Sequence, residues 1–362
     1  MQNTYCIIIA GGLGRRFWPL SNPERPKQFF DILGIGQTFI QMTYRRFKQV
    51  CPPENIIVVV NEAHHHLVKE QLPELSDQQI LLEPIRRNTA PSIAYAASKI
   101  KQKCPKANLI ITPADQVILH EQEFFFQLET ALRFVRENRT ILSLGTLATR
   151  PETSFGYIQV GDPVDEINLP NVYSMKTFTE KPNEEMANIF YESGEFFWNT
   201  GIIVSSMERL EKGYAKHQTD MHESFFQKGQ EKYGTSSESD FVRKAYSECS
   251  NISIDYAILE RITENYTLCA DFGWSDIGTW TNAYYQLEKD ENQNVRRGED
   301  IYCYEAERNI IHSETDRLVV LHGVNDYIVV DTPSVLMLCK KNNEKKILHF
   351  LNDIRLKTNR DL

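Results

Sequence analysis

The sequence predicts an α/β fold: a doubly wound sheet followed by a small C-terminal β module. Three observations carry this. Over the first 145 residues, short apolar runs alternate with stretches of helical periodicity. The apolar runs are short, β-branched and bounded by turn residues, as buried strands are. Beyond Asp300 the helical spacing gives way to closely set short strand signals. Strands separated by helices make a parallel sheet with right-handed crossovers.

Taken in order, strands are expected at residues 5–10, 56–60, 80–82, 109–112 and 140–144. Between them, Ile40, Tyr44, Phe47 and Cys51 share one helix face. So do Ile93, Ala97, Ile100 and Cys104, with Pro91 suited to the first turn, and Phe125, Leu128, Leu132 and Val135. From 146 to 288 the pattern is less regular, with strands near 157–160, 174–179 and 202–205 and helices near 184–191, 254–261 and 279–288. The charged stretch 288–300 reads as a linker. It divides a domain over 1–288 from a module over 289–362. Strand signals at 309–312, 318–321, 327–330 and 335–339 suggest a turn or two of β-helix, closed by a helix over 344–355.

The chain has 362 residues, is 41% hydrophobic and carries a net charge of −9. The acidic balance argues against a general nucleic-acid binder, so an anionic ligand must be held by local positive charge. No apolar run approaches a membrane span, and no basic stretch precedes the first apolar run as in a signal peptide. The seven cysteines are scattered without a CxxC pair, which suggests neither a zinc site nor a disulfide framework. A reducing cytoplasm is the expected compartment.

The first strand runs into Gly11-Gly12-Leu13-Gly14-Arg15-Arg16, followed by Pro26-Lys27. Glycines allow a tight turn whose amides point inward at an anion, and Arg15 and Lys27 add fixed positive charge. Such a loop suits a polyphosphate. It is neither the dinucleotide fingerprint, which needs glycine where Phe17 stands, nor a P-loop, which needs a terminal Gly-Lys-Ser/Thr. Ligands of open α/β sheets bind beyond the carboxyl ends of the strands. The glycine loop, the segment from Glu83 to Thr89 and Pro113-Ala114-Asp115 each follow a predicted strand, so they should share one crevice.

A polyphosphate cradle beside carboxylates implies a divalent cation. Mg²⁺ uses one or two protein carboxylates together with waters and phosphate oxygens. Asp115 and Asp276 are the candidates, although each would also serve as an ordinary turn or N-cap residue. Lys181, at a strand end beside Pro182, suits a second phosphate. Glu180 and Asn199 could bind sugar hydroxyls. His64, His65 and His66 are consecutive and so do not share a helix face; they read as a solvated helix start. No Ser-His-Asp or Cys-His arrangement supports a covalent mechanism.

These motifs, in this order, resemble the sugar-phosphate nucleotidyltransferases, and most closely their mannose-1-phosphate guanylyltransferase branch. The resemblance runs through the glycine loop (11–21), Pro-Lys-Gln-Phe (26–29), Glu-Pro-Ile-Arg-Arg-Asn-Thr-Ala-Pro (83–91) and Pro-Ala-Asp (113–115). It continues through Arg-Pro-Glu-Thr-Ser-Phe-Gly-Tyr-Ile (150–158), Phe-Thr-Glu-Lys-Pro (178–182), Trp-Asn-Thr-Gly (198–201), Ser-Ile-Asp-Tyr-Ala (253–257) and Gly-Trp-Ser-Asp-Ile-Gly-Thr-Trp (273–280). It implies a Rossmann-like, GT-A-like mixed sheet and the transfer of GMP from GTP to mannose 1-phosphate, giving GDP-mannose and pyrophosphate. Gly11, Gly12, Gly14 and Arg15 would hold the triphosphate, and Lys27 would neutralise charge at the reacting phosphates. Asp115 and Asp276 would ligate Mg²⁺. The segment containing Glu83, Asn88 and Thr89 would read guanine, Lys181 would bind the sugar phosphate, and Gly156, Glu180 and Asn199 would line the mannose site.

The sequence departs from the family pattern at Gln116, where His is usual, at Phe155, and at Thr200 in place of Ser. The isomerase domain of longer relatives is expected to be absent. Two alternatives stay open: a guanylyltransferase for fucose or heptose 1-phosphate, and a non-catalytic relative that binds GDP-mannose and regulates a partner. An exposed edge in the β tail leaves room for pairing into a homodimer. No nucleic-acid or membrane partner is expected.

Overall fold

A computed structural model describes residues 3–164 and 171–358. The chain divides into two compact units. One comprises Met1–Gly11 and Thr43–Ser275, the other Gly12–Met42 and Asp276–Leu362. The glycine loop therefore leaves the first unit directly after Gly11 and belongs, with Asp276, to the second.

The first unit is built on nine strands: β1 (Thr4–Ile9), β2 (Ile56–Asn61), β3 (Ile80–Glu83), β4 (Asn108–Pro113), β6 (Ile141–Leu147), β7 (Gly156–Pro163), β8 (Val172–Glu180), β9 (Phe196–Ser206) and β10 (Tyr266–Cys269). A short strand, β5 (Gln116–Ile118), lies outside that sheet. The order is β3-β2-β1-β4-β9-β6-β10-β8-β7, and β7 also pairs with β9. The strands β3, β2, β1 and β4 are mutually parallel, as the alternating pattern predicts. All six residues of β2 are buried, the mark of a strand covered on both faces.

The sheet is mixed, because β9 inserts between β4 and β6 antiparallel to both. The expected fifth strand is thus present at β6 but does not adjoin β4. The helices α1 (Phe39–Phe47), α2 (His65–Gln71), α3 (Thr89–Lys103) and α4 (Glu121–Asn138) follow β1, β2, β3 and β5. In α4 Leu128, Leu132 and Val135 are buried as expected, but at the start of the stripe Phe124 rather than Phe125 faces the core. The helix expected over 254–261 is a five-residue π-turn, Asp255–Leu259. Among the described residues no helix is long and apolar enough to cross a membrane.

In the second unit, strands Val295–Arg297, Ile310–Ser313 and Tyr327–Asp331 stack in parallel, and Leu336–Lys340 closes the stack antiparallel. A second face pairs Ile301–Tyr304 with Val319–His322, also in parallel. Val295, Ile310 and Ile328 fall in line on one face, giving the β-helix-like rungs that the tail suggests. Two buried asparagines set the corner: Asn309 donates through its backbone N and its Nδ2 to Asn294 Oδ1 at 3.0 and 2.9 Å. Asn294 in turn donates to the Ala306 carbonyl at 2.8 Å. The stretch 288–300 is consequently not a linker, since Asn294 and Val295 are each 1% exposed and belong to the first rung. The closing helix runs over Ile347–Thr358, preceded by a 3₁₀ segment, Lys341–Lys346, where the sequence places its first turn.

Candidate active site

In the first unit, the segments that follow parallel strands gather along one sheet edge. Ala114, just past β4, donates its backbone N to the Ile9 carbonyl of β1 at 3.0 Å. Asn61, at the end of β2, donates its Nδ2 to the Glu83 carbonyl of β3 at 3.0 Å. Gly11, Glu83 and Asp115 thus stand at neighbouring strand ends, as the topological rule requires. A Cβ on Gly11 would lie 2.7 Å from Glu83 Oε2, so the glycine here is a matter of space.

Glu83 is only 3% exposed. Its Oε1 accepts from Ser92 Oγ at 2.5 Å and from Tyr246 Oη at 3.0 Å. Burial raises its pKa, against the opposing pull of those two hydroxyls and of Arg86. Arg86 donates its Nε to the Gly11 carbonyl at 3.3 Å. Next along the segment, Asn88 adopts φ +66° and caps α3, its Oδ1 accepting from the Thr89 amide at 2.9 Å. Thr89 Oγ1 accepts from the Ile254 amide at 2.9 Å, and the Ala90 amide donates to the Ile252 carbonyl at 3.1 Å. The first amides of α3 are therefore spent on protein partners, which suits a base-facing segment better than a phosphate-facing one.

A second cluster forms across three strands. Gly156 of β7 is in register with Glu180 of β8 and with Asn199 of β9. A Cβ at Gly156 would meet Glu180 Oε2 at 2.5 Å and Asn199 Cβ at 3.3 Å. Lys181 has φ +48° and pairs its Nζ with Glu180 Oε1. Asn199 donates through Nδ2 to Asp255 Oδ1 at 3.1 Å and accepts from the Gly201 amide at 3.1 Å. Asp255 has its pKa raised to about 6, first by burial and then by Glu180. Gly156, Glu180, Lys181 and Asn199 are thus brought together, with Asp255 as a fifth member to which the sequence assigns no role. The only sequence signal for it is its place in Ser253-Ile254-Asp255-Tyr256-Ala257.

Gln116 links this cluster to the Asp115 turn. Its side chain is 5% exposed, and its Nε2 donates to the Thr200 carbonyl. Thr200 Oγ1 donates to the Leu144 carbonyl at 2.7 Å. Of the three histidines, His64 is buried at 1% exposure, whereas His66 lies on the surface. The tract is thus only partly a solvated helix start.

The second unit holds the remaining candidates. Among the described residues, the backbone amides of Gly12, Leu13 and Gly14 donate no hydrogen bond. Gly14 has φ +61°, and a Cβ there would lie 2.4 Å from Lys27 Cβ. Arg15 and Arg16 are exposed. Lys27 is 4% exposed; its Nζ donates to the Ile277 carbonyl at 2.9 Å and lies 3.5 Å from Asp276 Oδ1. The Asp276 carboxylate also abuts Gly278, whose Cβ would meet it at 3.2 Å. The lysine of the loop and the aspartate of the Gly-Trp-Ser-Asp motif are therefore a fixed pair. Asp276 keeps a third of its side chain exposed. Among the described residues no group of three or more His, Cys, Asp or Glu side chains is spaced to hold a metal ion. Asp115 belongs to the first unit and Asp276 to the second; each is a hard oxygen donor of the kind that Mg²⁺ takes from protein.

Residues 5–294 match the family model described as Nucleotidyl transferase. A mannose-1-phosphate guanylyltransferase of Escherichia coli is 32% identical over 357 residues, covering 97% of this chain and 75% of the relative. The alginate biosynthesis protein AlgA of Pseudomonas aeruginosa is 32% identical over 353 residues, covering 96% and 71%. A solved structure from Thermus thermophilus, described as a mannose-1-phosphate geranyltransferase, superposes with a TM-score of 0.85 at 26% identity over 98% of this chain and 100% of that one.

Proposed function

The chain belongs to the nucleotidyl transferase family, and from that premise we propose that it transfers GMP from GTP to mannose 1-phosphate, releasing pyrophosphate and GDP-mannose. The observation that carries the reading is the glycine loop, whose amides at Gly12, Leu13 and Gly14 donate no hydrogen bond among the described residues and precede Arg15. Unspent amides on a glycine turn beside a guanidinium are a receptor for phosphate oxygens. The Escherichia coli relative at 32% identity, named as a mannose-1-phosphate guanylyltransferase, supports a guanine nucleotide and a mannose phosphate as the ligands of that receptor.

The reaction is a direct in-line displacement. A phosphate oxygen of mannose 1-phosphate attacks the α-phosphorus of GTP. One P–O bond forms, the bond to the β-phosphate bridge breaks, and pyrophosphate leaves with the electron pair. The protein supplies position and fixed charge rather than a nucleophile. Arg15 and the loop amides hold the triphosphate. Lys27 balances the charge of Asp276. Lys181 binds the sugar phosphate, while Glu180 and Asn199 accept and donate to mannose hydroxyls above Gly156. Glu83, Asn88 and Thr89 present the guanine-reading segment. Asp115 and Asp276 would hold Mg²⁺, which when bound neutralises phosphate charge and orients the transferring group.

The test is an assay of the purified chain with each nucleoside triphosphate, Mg²⁺ and a panel of mannose, fucose and heptose 1-phosphates, following pyrophosphate. Turnover restricted to GTP with mannose 1-phosphate, abolished in Asp115→Ala with folding intact, is the expected result. Turnover with a different sugar phosphate would reassign the acceptor. Tight GDP-mannose binding without any turnover would make the chain a regulatory relative.

A further inference from the structure

The second unit contains a cavity of about 330 Å³ lined by Gly14, Arg15, Arg16, Gly278, Leu348 and Asn352. Four of these belong to the glycine loop and to the segment after Asp276. The other two come from the C-terminal helix, Ile347–Thr358, which no part of the proposed reaction uses so far.

That helix is firmly placed within its unit. Ile347 and Leu351 are 0% and 2% exposed and form its inner stripe. The preceding segment is anchored by Glu344, whose carboxylate accepts from the Thr281 amide at 3.2 and 3.3 Å. Leu348 and Asn352 each follow an inner residue by one position, so they share the adjacent stripe, four residues apart. Both line the cavity. Among the described residues the Asn352 side chain has no hydrogen-bond partner, and it is exposed.

The chemistry of the lining is one-sided. It presents two guanidinium side chains, two glycines, an apolar wall and a carboxamide, with no acid among them. The Asp276 carboxylate lies against Gly278 but is balanced by Lys27. A carboxamide donates through two N–H groups and adds no negative charge, so beside Arg15 and Arg16 it complements a phosphate oxygen.

We infer that the C-terminal helix forms one wall of the phosphate pocket, with Asn352 donating to the terminal phosphates of the bound nucleoside triphosphate, and so to pyrophosphate before it leaves. This rests on the reading of the glycine loop as a triphosphate receptor. It assigns to the second unit a leaving-group contact that lies far along the chain from the loop itself.

The test runs the reaction in reverse, with pyrophosphate and GDP-mannose, on wild type, Asn352→Asp and Asn352→Lys. Opposite charges at one exposed position should move the pyrophosphate KM in opposite directions: up about tenfold for Asp and down several-fold for Lys. The KM for GDP-mannose should stay within about twofold of wild type, since that substrate carries neither of the terminal phosphates that Asn352 would contact. A pyrophosphate KM unmoved by both substitutions would overturn the inference, as would parallel changes in the same direction, which signal a purely structural role. Failure of wild type to consume pyrophosphate at all would instead sink the underlying nucleotidyl-transfer reading, and a wild-type turnover keeps the two failures apart.

Discussion

Asn199 Nδ2 lies 3.1 Å from Asp255 Oδ1, which ties the end of the Trp-Asn-Thr-Gly turn to a π-turn more than fifty residues away. Asp255 is held near a pKa of about 6, against 3.8 for an ordinary aspartate, because burial and the neighbouring Glu180 both disfavour its charge. The sign follows from linkage. In the window from about 4 to 6, the folded chain holds a proton that the unfolded chain has released, so stability falls as pH rises through it. Asp255→Asn keeps an oxygen that accepts from Asn199 and removes the buried charge. It should raise stability at pH 8 by about 1–2 kcal/mol, and flatten the pH dependence of the melting temperature below pH 6. An unchanged pH profile would exclude this origin for the shift.

Gly156 faces the same cluster from the neighbouring strand. An added methyl would meet Glu180 Oε2 at 2.5 Å, Phe178 Cζ at 3.1 Å and Asn199 Cβ at 3.3 Å. The strand itself is well paired on both sides and has little room to yield. Gly156→Ala should therefore displace Glu180 and Asn199 together and raise the KM for mannose 1-phosphate about tenfold, with the KM for GTP nearly constant. Steady-state kinetics on both substrates separates this from general misfolding, which would lower kcat without that selectivity.

For Gly14 the argument combines backbone and space. Its φ of +61° is costly for any residue with a Cβ, and that Cβ would sit 2.4 Å from Lys27 Cβ. Gly14→Ala should cost about 1–2 kcal/mol from the left-handed conformation alone. Relief of the clash would further shift Lys27 from Asp276. The expected outcome is a lower melting temperature and a fall in kcat/KM for GTP larger than that for mannose 1-phosphate.

The strand ends were legible in the sequence because apolar runs such as residues 56–60 stop at polar residues, here Asn61, and the topological rule converts those stops into an edge. The rung at Asn294 and Val295 was not, because two buried side chains among charged neighbours look like a solvated linker until Asn309 is seen to close on Asn294. Phe124 and Phe125 are adjacent aromatics, and helix phase alone did not say which one faces inward. The insertion of β9 between β4 and β6 depends on long-range pairing that no local pattern encodes. In the site, glycines and charged residues in short motifs stood out. Asp255 did not, because its importance lies in what it touches, Asn199 and the field of Glu180.

Glu83 offers a test of base reading. Its Oε1 is committed to Ser92 and Tyr246, and an amide oxygen would serve both hydroxyls equally well. Glu83→Gln should thus fold normally, with its melting temperature at neutral pH no lower than that of wild type, since burial already disfavours the charged form. If Glu83 helps to recognise guanine through its remaining oxygen, the preference for GTP over ATP should fall about tenfold. Retention of the full preference would move recognition to the backbone of residues 84–89.

Gln116 stands where the resembled family usually has His, and its Nε2 donates to the Thr200 carbonyl from a site 5% exposed to solvent. That bond joins the residue after Asp115 to the residue after Asn199, two positions with separate proposed roles. Gln116→Leu fills similar volume but leaves the Thr200 carbonyl without this donor, which should cost about 1–2 kcal/mol of stability. Gln116→His restores a ring N–H able to reach the same carbonyl and should recover most of that loss. If the bond positions Asn199, the leucine variant will also show a raised KM for mannose 1-phosphate that the histidine variant reverses. A leucine variant that melts early yet keeps the wild-type KM would limit Gln116 to holding the two turns together.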